Sequence, residues 1–499
     1  MGNLLLSWDL ASARWLVGVV YLVVSVCLLA TAVALQVARR WPWCGCKVCR
    51  AYMSGSWARD FASVSDWYAH LLRRSPTTRT LRVHVLGCTV TADPGNVEYM
   101  LRTGFDNFPK GKGVSAILSD LLGGGIFNVD GDAWRHQRKM ASFQLGSVAV
   151  RSYAFRIVSR EVDARLMPLL ARAGDVGMVV DLQDVFRRFA FDTICKISFG
   201  LDPGLSAVRG MAVSPLLWKM KRLLSVGGEG ELKKAIKVVH ELANAMIRER
   251  RSLGVDNKSP DLLSRFMSAG SGTNTNAMDH DNEDKFLRDI VVSFLIAGRD
   301  TISSGLTTLF MLLSKHRAAG AAMRAEATKA SDANAMTYEE LKALHYTHAA
   351  VHESLRLFPP VQFDSKFCAA ADVLPDGTYV DAGSRVMYHP YAMGRMPSIW
   401  GDDCEEFRPE RWLTGAGATF EPVSFFKYPV FQAGLRVCLG KELAIMEMKA
   451  VCVAVLRAFD VKVVGERAVR ECAPVFAPGL SASIQGGLPV KLAVERECE

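Results

Sequence analysis

Phe431-Gln-Ala-Gly434-Leu-Arg436-Val-Cys438-Leu-Gly440 is the stretch on which the reading of this chain turns. One cysteine sits between two glycines, with an arginine two residues before it and a phenylalanine seven before it. The helical run Lys441-Glu-Leu-Ala-Ile-Met-Glu-Met-Lys follows directly. A cysteine at a helix N-terminus gains from the helix dipole and from free N–H groups, so its thiolate is favoured. Gly434 and Gly440 permit tight turns and close approach of the backbone to a flat partner. Arg436 can pair with a carboxylate on that partner. Together these residues fit the presentation of a thiolate to an iron. The competing reading is a buried structural cysteine, the commoner fate of a single one.

The spacing F-x-x-G-x-R-x-C-x-G resembles the cysteine-ligand loop of the cytochrome P450 superfamily, in which a thiolate-ligated haem favours O–O cleavage. Four more segments carry the resemblance, in the family's order. Gly131-Asp-Ala-Trp134-Arg-His-Gln-Arg138 places Trp134 and Arg138 one helical turn apart. In the family such residues hold haem propionates, to which an indole N–H and a guanidinium both donate. Ala297-Gly298-Arg299-Asp300-Thr301 lies inside the apolar run Ile290–Leu313 and is similar to the family's oxygen-activating helix. Gly298 there is expected to make room for a ligand against the backbone. The Thr301 hydroxyl can bond back to a carbonyl one turn earlier. Asp300 and Thr301 would then deliver protons to dioxygen.

Glu353-Ser-Leu-Arg356-Leu-Phe-Pro359-Pro360 puts Glu353 and Arg356 on one helix face. Phe407-Arg-Pro-Glu-Arg411-Trp412 would add Arg411. The resemblance makes these three a buried charge network behind the haem. An exposed pair would contribute only roughly 0–1 kcal/mol, whereas a buried cluster needs every member present. The apolar flanks favour burial and a structural rather than catalytic role.

Composition agrees. The chain has 499 residues, half of them hydrophobic, enough for one large domain. Twelve cysteines in that length are no disulfide scaffold and suit a reducing compartment. Cys44-x-Cys46-x-x-Cys49 invites a zinc reading, but no fourth ligand is close in sequence. Trp15 to Leu35 is a run of 21 residues without a charge, which as a helix spans ~31 Å, about one hydrocarbon core. Arg39, Arg40, Lys47 and Arg50 follow it while only Asp9 and Arg14 precede it, so the bulk of the chain is expected on the cytosolic side. The expected organisation is a membrane anchor over 1–40, a linker over 41–60 and a haem-thiolate catalytic domain over 61–499.

The rest reads as mainly helical with a small β subdomain. Leu81–Leu86 and Val90-Thr91 alternate like a hairpin, and Thr378–Asp381 and Ser384–Tyr388 read as short strands. Leu232–Arg251 and Lys315–Ala330 read as amphipathic helices. Gly270–Asp284 is polar and reads as a surface connection. The resemblance places an access lid around Pro203–Leu216.

The net charge is +9, and nothing resembles a nucleic-acid motif. No glycine-rich dinucleotide site is apparent, so electrons must come from a partner. The resemblance implies an NADPH-dependent flavoprotein reductase, with Arg135, Lys139, Lys441 and Lys449 as docking candidates. Solvation of helix faces explains any one of these equally well.

Within the superfamily, Gly125–Arg135, Ala297–Thr301, Pro360–Lys366 and Phe431–Lys441 look like the plant fatty-acid omega-hydroxylases, some of which oxidise jasmonoyl-amino acid conjugates. Trp43–Arg50 is also similar to that branch. The resemblance therefore implies a P450 fold behind a single transmembrane helix in the endoplasmic reticulum membrane. It implies haem b on Cys438, with Phe431, Gly434 and Gly440 shaping its loop. Arg436, Trp134 and Arg138 would hold propionates, with Lys366 a weaker candidate. The substrate would be a lipid-like carboxylic acid oxidised by O2 at its terminal carbon, in a pocket whose candidates include Phe294, Val361, Phe363 and Leu480. Arg299 departs from the apolar or amide residue common at its position and is expected to pair with a neighbouring carboxylate. A haem-thiolate isomerase or dehydratase acting on a hydroperoxide without a reductase is the alternative. Such relatives tend to alter the threonine helix and the cysteine loop, and both are intact here. A non-catalytic haem sensor is a third reading, disfavoured by the proton-relay pair.

Overall fold

The computed structural model describes residues 19–31, 44–75, 79–201, 228–253, 261–270, 280–331, 336–415, 418–465, 474–477 and 479–494. They fall into two compact units, one of Met1–Asp60 with Arg82–Cys88 and one of Phe61–Leu81 with Thr89–Glu499.

In the smaller unit, residues 19–31 are helical and expose Tyr21, Leu28 and Leu29. Among the described residues no helix is long and apolar enough to cross a membrane. The flanks of the uncharged run, and the basic pair Arg39 and Arg40, lie outside the described residues. The segment read as a linker is not bare coil. It carries the helix Lys47–Ser54, begun by Cys46, whose extended backbone lets its Sγ accept the Cys49 N–H. Gly55, at φ 66°, ends the helix in the left-handed conformation.

The larger unit is mainly helical. Its longest element is the helix His280–Lys315, of 36 residues. Its first turns come from the polar stretch expected to be a connection, so residues 280–284 are helix. Residues 271–279 and the lid candidates around Pro203–Leu216 lie outside the described residues. This long helix packs along Leu182–Phe199 and against His345–Leu357 and Lys441–Ala458. Beside it, Cys195, Phe199, Met246, Phe266, Val291 and Leu295 belong to one buried hydrophobic cluster. His316, at φ −112°, separates the long helix from Arg317–Ala330, which therefore starts two residues later than its pattern suggests.

The strands are few and short. Thr80–Val83 and Cys88–Thr91 are strands, with the 3-10 turn His84–Leu86 and Gly87 between them. Asp364–Phe367 pairs antiparallel with Arg385–Tyr388, setting Lys366 opposite Val386 and Asp364 opposite Tyr388. Tyr379–Val380 pairs with Asp372–Val373. Near the C-terminus, Phe459–Val463 and Val180–Asp181 flank Pro489–Val494 in a three-stranded antiparallel sheet.

Candidate functional site: a thiolate loop at a helix N-terminus

The loop is closed locally. The Cys438 N–H donates to the Phe431 carbonyl at 2.7 Å, and the helix Lys441–Ala458 begins directly after Gly440. Burial pushes the Cys438 thiol up, while the amide N–H groups of Gly440 and Lys441 and the positive charge of Arg138 pull it back toward thiolate. The residue as a whole is nonetheless exposed. A metal at this sulfur would complete the charge compensation.

Gly434 meets the protein's own backbone. Its φ is 58°, and a Cβ there would stand 2.1 Å from the Leu101 carbonyl oxygen, so glycine is required by the protein's own backbone. Gly440 has an ordinary φ of −88°, and a Cβ on it would lie 3.9 Å from the Cys438 sulfur. Gln432 holds the turn from φ 61°. Its amide donates to Asp364 Oδ2 at 2.9 Å and its carbonyl accepts from the Tyr388 hydroxyl.

The predicted cationic residues gather at this loop. Arg436 donates to Asp130 Oδ1 at 2.7 Å, and its guanidinium lies 4.3 Å from the Trp134 ring centroid. Its Nε and Nη1 are buried and have no hydrogen-bond partner among the described residues. Buried donors of a cation left unpaired are costly, and an anionic carboxylate is the group they suit. Arg138 donates to the Val437 carbonyl at 2.5 Å, tying its helix to the loop. Phe105 packs on Trp134 with ring centroids 5.4 Å apart. Haem, with two propionates and an iron that takes a thiolate, matches this donor set.

Lys366 sits elsewhere in the network. It is buried and its Nζ donates to Asp364 Oδ2 at 2.5 Å. Burial alone would raise the Asp364 carboxyl, but Lys366 and Lys110 hold it well below the usual range. Asp364, Tyr388 and Gln432 thus form a polar clamp on the loop that the sequence did not announce. Asp364 lies within the motif segment Pro360–Lys366, but nothing in a one-dimensional pattern pairs it with Gln432.

On the long helix, the Thr301 hydroxyl donates to the Ala297 carbonyl at 2.7 Å. Asp300 is half-exposed and lies 3.6 Å from Arg299, whose guanidinium also sits 6.0 Å from the Phe191 ring. Arg299 therefore has a carboxylate neighbour, as expected. Gly298 has a different use from the one predicted. A Cβ there would fall 2.4 Å from Ile194 Cγ1, so the glycine admits the neighbouring helix.

Glu353, Arg356 and Arg411 meet, as expected. Arg356 binds both Glu353 oxygens at 2.7 Å, and Arg411 Nε reaches Oε1 at 2.8 Å. The Trp412 indole and the Arg408 amide complete the carboxylate's shell at 2.9 Å each. Arg356 also donates to the carbonyls of Cys404 and Glu406. Glu353 and Arg356 are fully buried, so every charge here is compensated by a neighbour.

The pocket candidates differ in burial. Phe294 packs on Phe266 at 5.8 Å beside the core cluster. Val361 is half-buried. Phe363 and Leu480 are exposed, with the Phe363 ring 5.9 Å from His389. Among the docking candidates, Arg135 is exposed and paired with Asp106 at 2.8 Å, Lys139 is exposed, and Lys441 stands 4.7 Å over the Phe425 ring. Lys449 is excluded. It is buried, donates to the Leu344 carbonyl at 3.0 Å, and burial lowers its pKa to about 8. Its helix is buried along most of Ile445–Leu456, so a lysine there need not face solvent.

Comparison with known proteins settles the family. Residues 87–477 match the Cytochrome P450 family. This chain belongs to it. It is 51% identical over 475 residues to Cytochrome P450 94C1 of Arabidopsis thaliana, an alignment covering 90% of this chain and 93% of that one. It is 44% identical to Cytochrome P450 94B3 of the same plant, covering 86% and 87%, and 39% identical to Cytochrome P450 94A1 of Vicia sativa, covering 86% of each. The protein is accordingly a haem-thiolate monooxygenase of the P450 family, using O2, a redox partner and an organic substrate.

Proposed function

We propose that this P450 hydroxylates the terminal carbon of a fatty acid or a jasmonoyl-amino acid conjugate. Its electrons would come from NADPH through a flavoprotein reductase, at the cytosolic face of the endoplasmic reticulum, with residues 1–40 as a single-pass anchor. The overall balance is RH + O2 + two electrons + two protons giving ROH + water. The observation that carries the hydroxylase reading is the presence of an exposed Cys438 in its closed loop together with an intact Asp300–Thr301 pair on the long helix. The substrate class rests on the likeness of four motif segments to the plant omega-hydroxylase branch.

Haem, when bound, supplies oxygen activation. Cys438 would ligate its iron, the Gly440 and Lys441 amides steadying the sulfur's charge. Arg436 would offer Nε and Nη1 to a propionate, beside the Trp134 indole. Thr301, anchored on the Ala297 carbonyl, would hold a proton donor in place, and half-exposed Asp300 would refill it from solvent. Regioselectivity demands that the chain arrive end-on, because subterminal C–H bonds are weaker and would react first. Val361 and Phe363, bulky and apolar, are proposed to narrow that approach.

The test is turnover of the purified full-length enzyme with reductase and NADPH, products being located by mass spectrometry. Hydroxyl at the terminal methyl is expected. Val361→Ala should raise the share of subterminal products, a selectivity change on the order of 1–3 kcal/mol per methylene-sized step. Cys438→Ser should lose the thiolate-type spectrum of the reduced, carbon monoxide-bound protein. Mainly mid-chain oxidation would sink the omega assignment, and turnover without reductase would favour the isomerase class.

A further inference from the structure

The smaller unit holds a second constellation of metal-binding side chains. Cys44 and Cys46 precede the helix Lys47–Ser54, Cys49 lies in its first turn, and His84 opens the 3-10 turn His84–Leu86. The sulfurs of the three cysteines and a ring nitrogen of His84 all lie within 4.8 Å of one another. Cys44 Sγ and His84 Nδ1 are 3.3 Å apart. All three cysteines are free thiols. We propose that Cys44, Cys46, Cys49 and His84 bind a structural zinc ion.

Ligand number, ligand type and spacing agree. Structural zinc takes four ligands from Cys and His in a tetrahedron, with Zn–S of about 2.3 Å and Zn–N of about 2.0–2.1 Å. Those bond lengths place the ligand atoms about 3.5–3.8 Å apart along the tetrahedron's edges. The observed separations bracket that range, so small side-chain rotations close the site. The backbone is already set for it. The Cys49 amide donates to Cys46 Sγ at 3.4 Å, and the Val85 amide faces Cys49 Sγ. N–H groups aimed at sulfur orient a ligand and offset thiolate charge. Three thiolates and one imidazole leave no position for water or substrate, which marks a structural rather than a catalytic ion.

Such an ion would cross-link two stretches 40 residues apart. It would fix the segment that follows residues 1–40 to the turn at His84, independently of haem. A single histidine well downstream of three clustered cysteines is also why sequence spacing alone showed no fourth ligand.

Elemental analysis of the full-length protein, purified without chelator, tests this. Zinc and iron should both approach one equivalent per chain, and a thiol-modifying reagent should release the zinc while the haem spectrum persists. Cobalt(II) exchanged into the site should show the strong thiolate charge-transfer absorption of tetrahedral coordination. His84→Ala and Cys46→Ser should each lower the zinc-to-iron ratio severalfold while keeping haem. Negligible zinc in the unmodified protein, together with no uptake of zinc or cobalt by the fully reduced chain, would overturn the proposal. So would full retention of zinc in both variants, which would place the ion elsewhere.

Discussion

Glu447 is the residue at which burial and charge conflict most openly. It lies in the helix Lys441–Ala458 that begins at the thiolate loop, and among the described residues its Oε1 has no hydrogen-bond partner. Burial pushes its carboxyl up to about 8. An unfolded chain ionises the same group near 4.5. Between those values the native state holds a proton that the unfolded state has released, so native stability falls as pH rises, by about 1.4 kcal/mol per pH unit. Below the unfolded value both states are protonated and the group contributes nothing. Glu447→Gln should remove this slope. Thermal unfolding of the haem-loaded protein should show the variant gaining on the parent at about pH 8 and little at about pH 5. Equal gains at both would mean that Glu447 is already ionised in the fold. Glu353 is the contrast. It is equally buried, but two arginines, an indole and an amide satisfy it, so removal of either arginine would leave a buried charge less compensated.

At the scale of elements, what could be read from sequence was what local chemistry dictates. The closed cysteine loop, the Glu353–Arg356 pair and the Thr301 back-bond each follow from side chains a few residues apart, and the last two appear with their expected partners. What could not be read depended on distances between elements. Gly298 looks like a cavity maker until Ile194 is seen against it, and Lys449 looks like a docking lysine until it is seen to be buried. Gly434 answers to the Leu101 carbonyl, which lies far away in sequence. The contact of the long helix with Leu182–Phe199 makes this testable. Gly298→Ala should force overpacking worth about 1–3 kcal/mol, seen as a lower melting temperature and faster haem loss. Adding Ile194→Ala should recover part of that loss by removing the atoms 2.4 and 2.5 Å from the new methyl. If Gly298→Ala costs nothing, or if Ile194→Ala brings no recovery, the glycine is not there to admit the helix.

For the whole molecule, the motifs proposed to hold haem lie between Trp134 and Gly440, and the bonds described above that position them join residues of the larger unit. The chain also carries the uncharged run from Trp15 to Leu35. An apolar stretch of that length has a bilayer as its natural solvent, and the exposed Tyr21, Leu28 and Leu29 of helix 19–31 show what such a segment leaves to be covered. The proposed anchor and the catalytic domain are therefore expected to be separable. Removal of residues 1–40, which keeps Cys44, Cys46, Cys49 and His84, should shift much of the protein to a soluble or peripheral fraction on carbonate washing, with its haem spectrum unchanged. Loss of haem from the truncated chain would show that the anchor is part of the fold rather than a tether. Full retention in the membrane pellet with haem intact would locate membrane attachment in the catalytic domain itself.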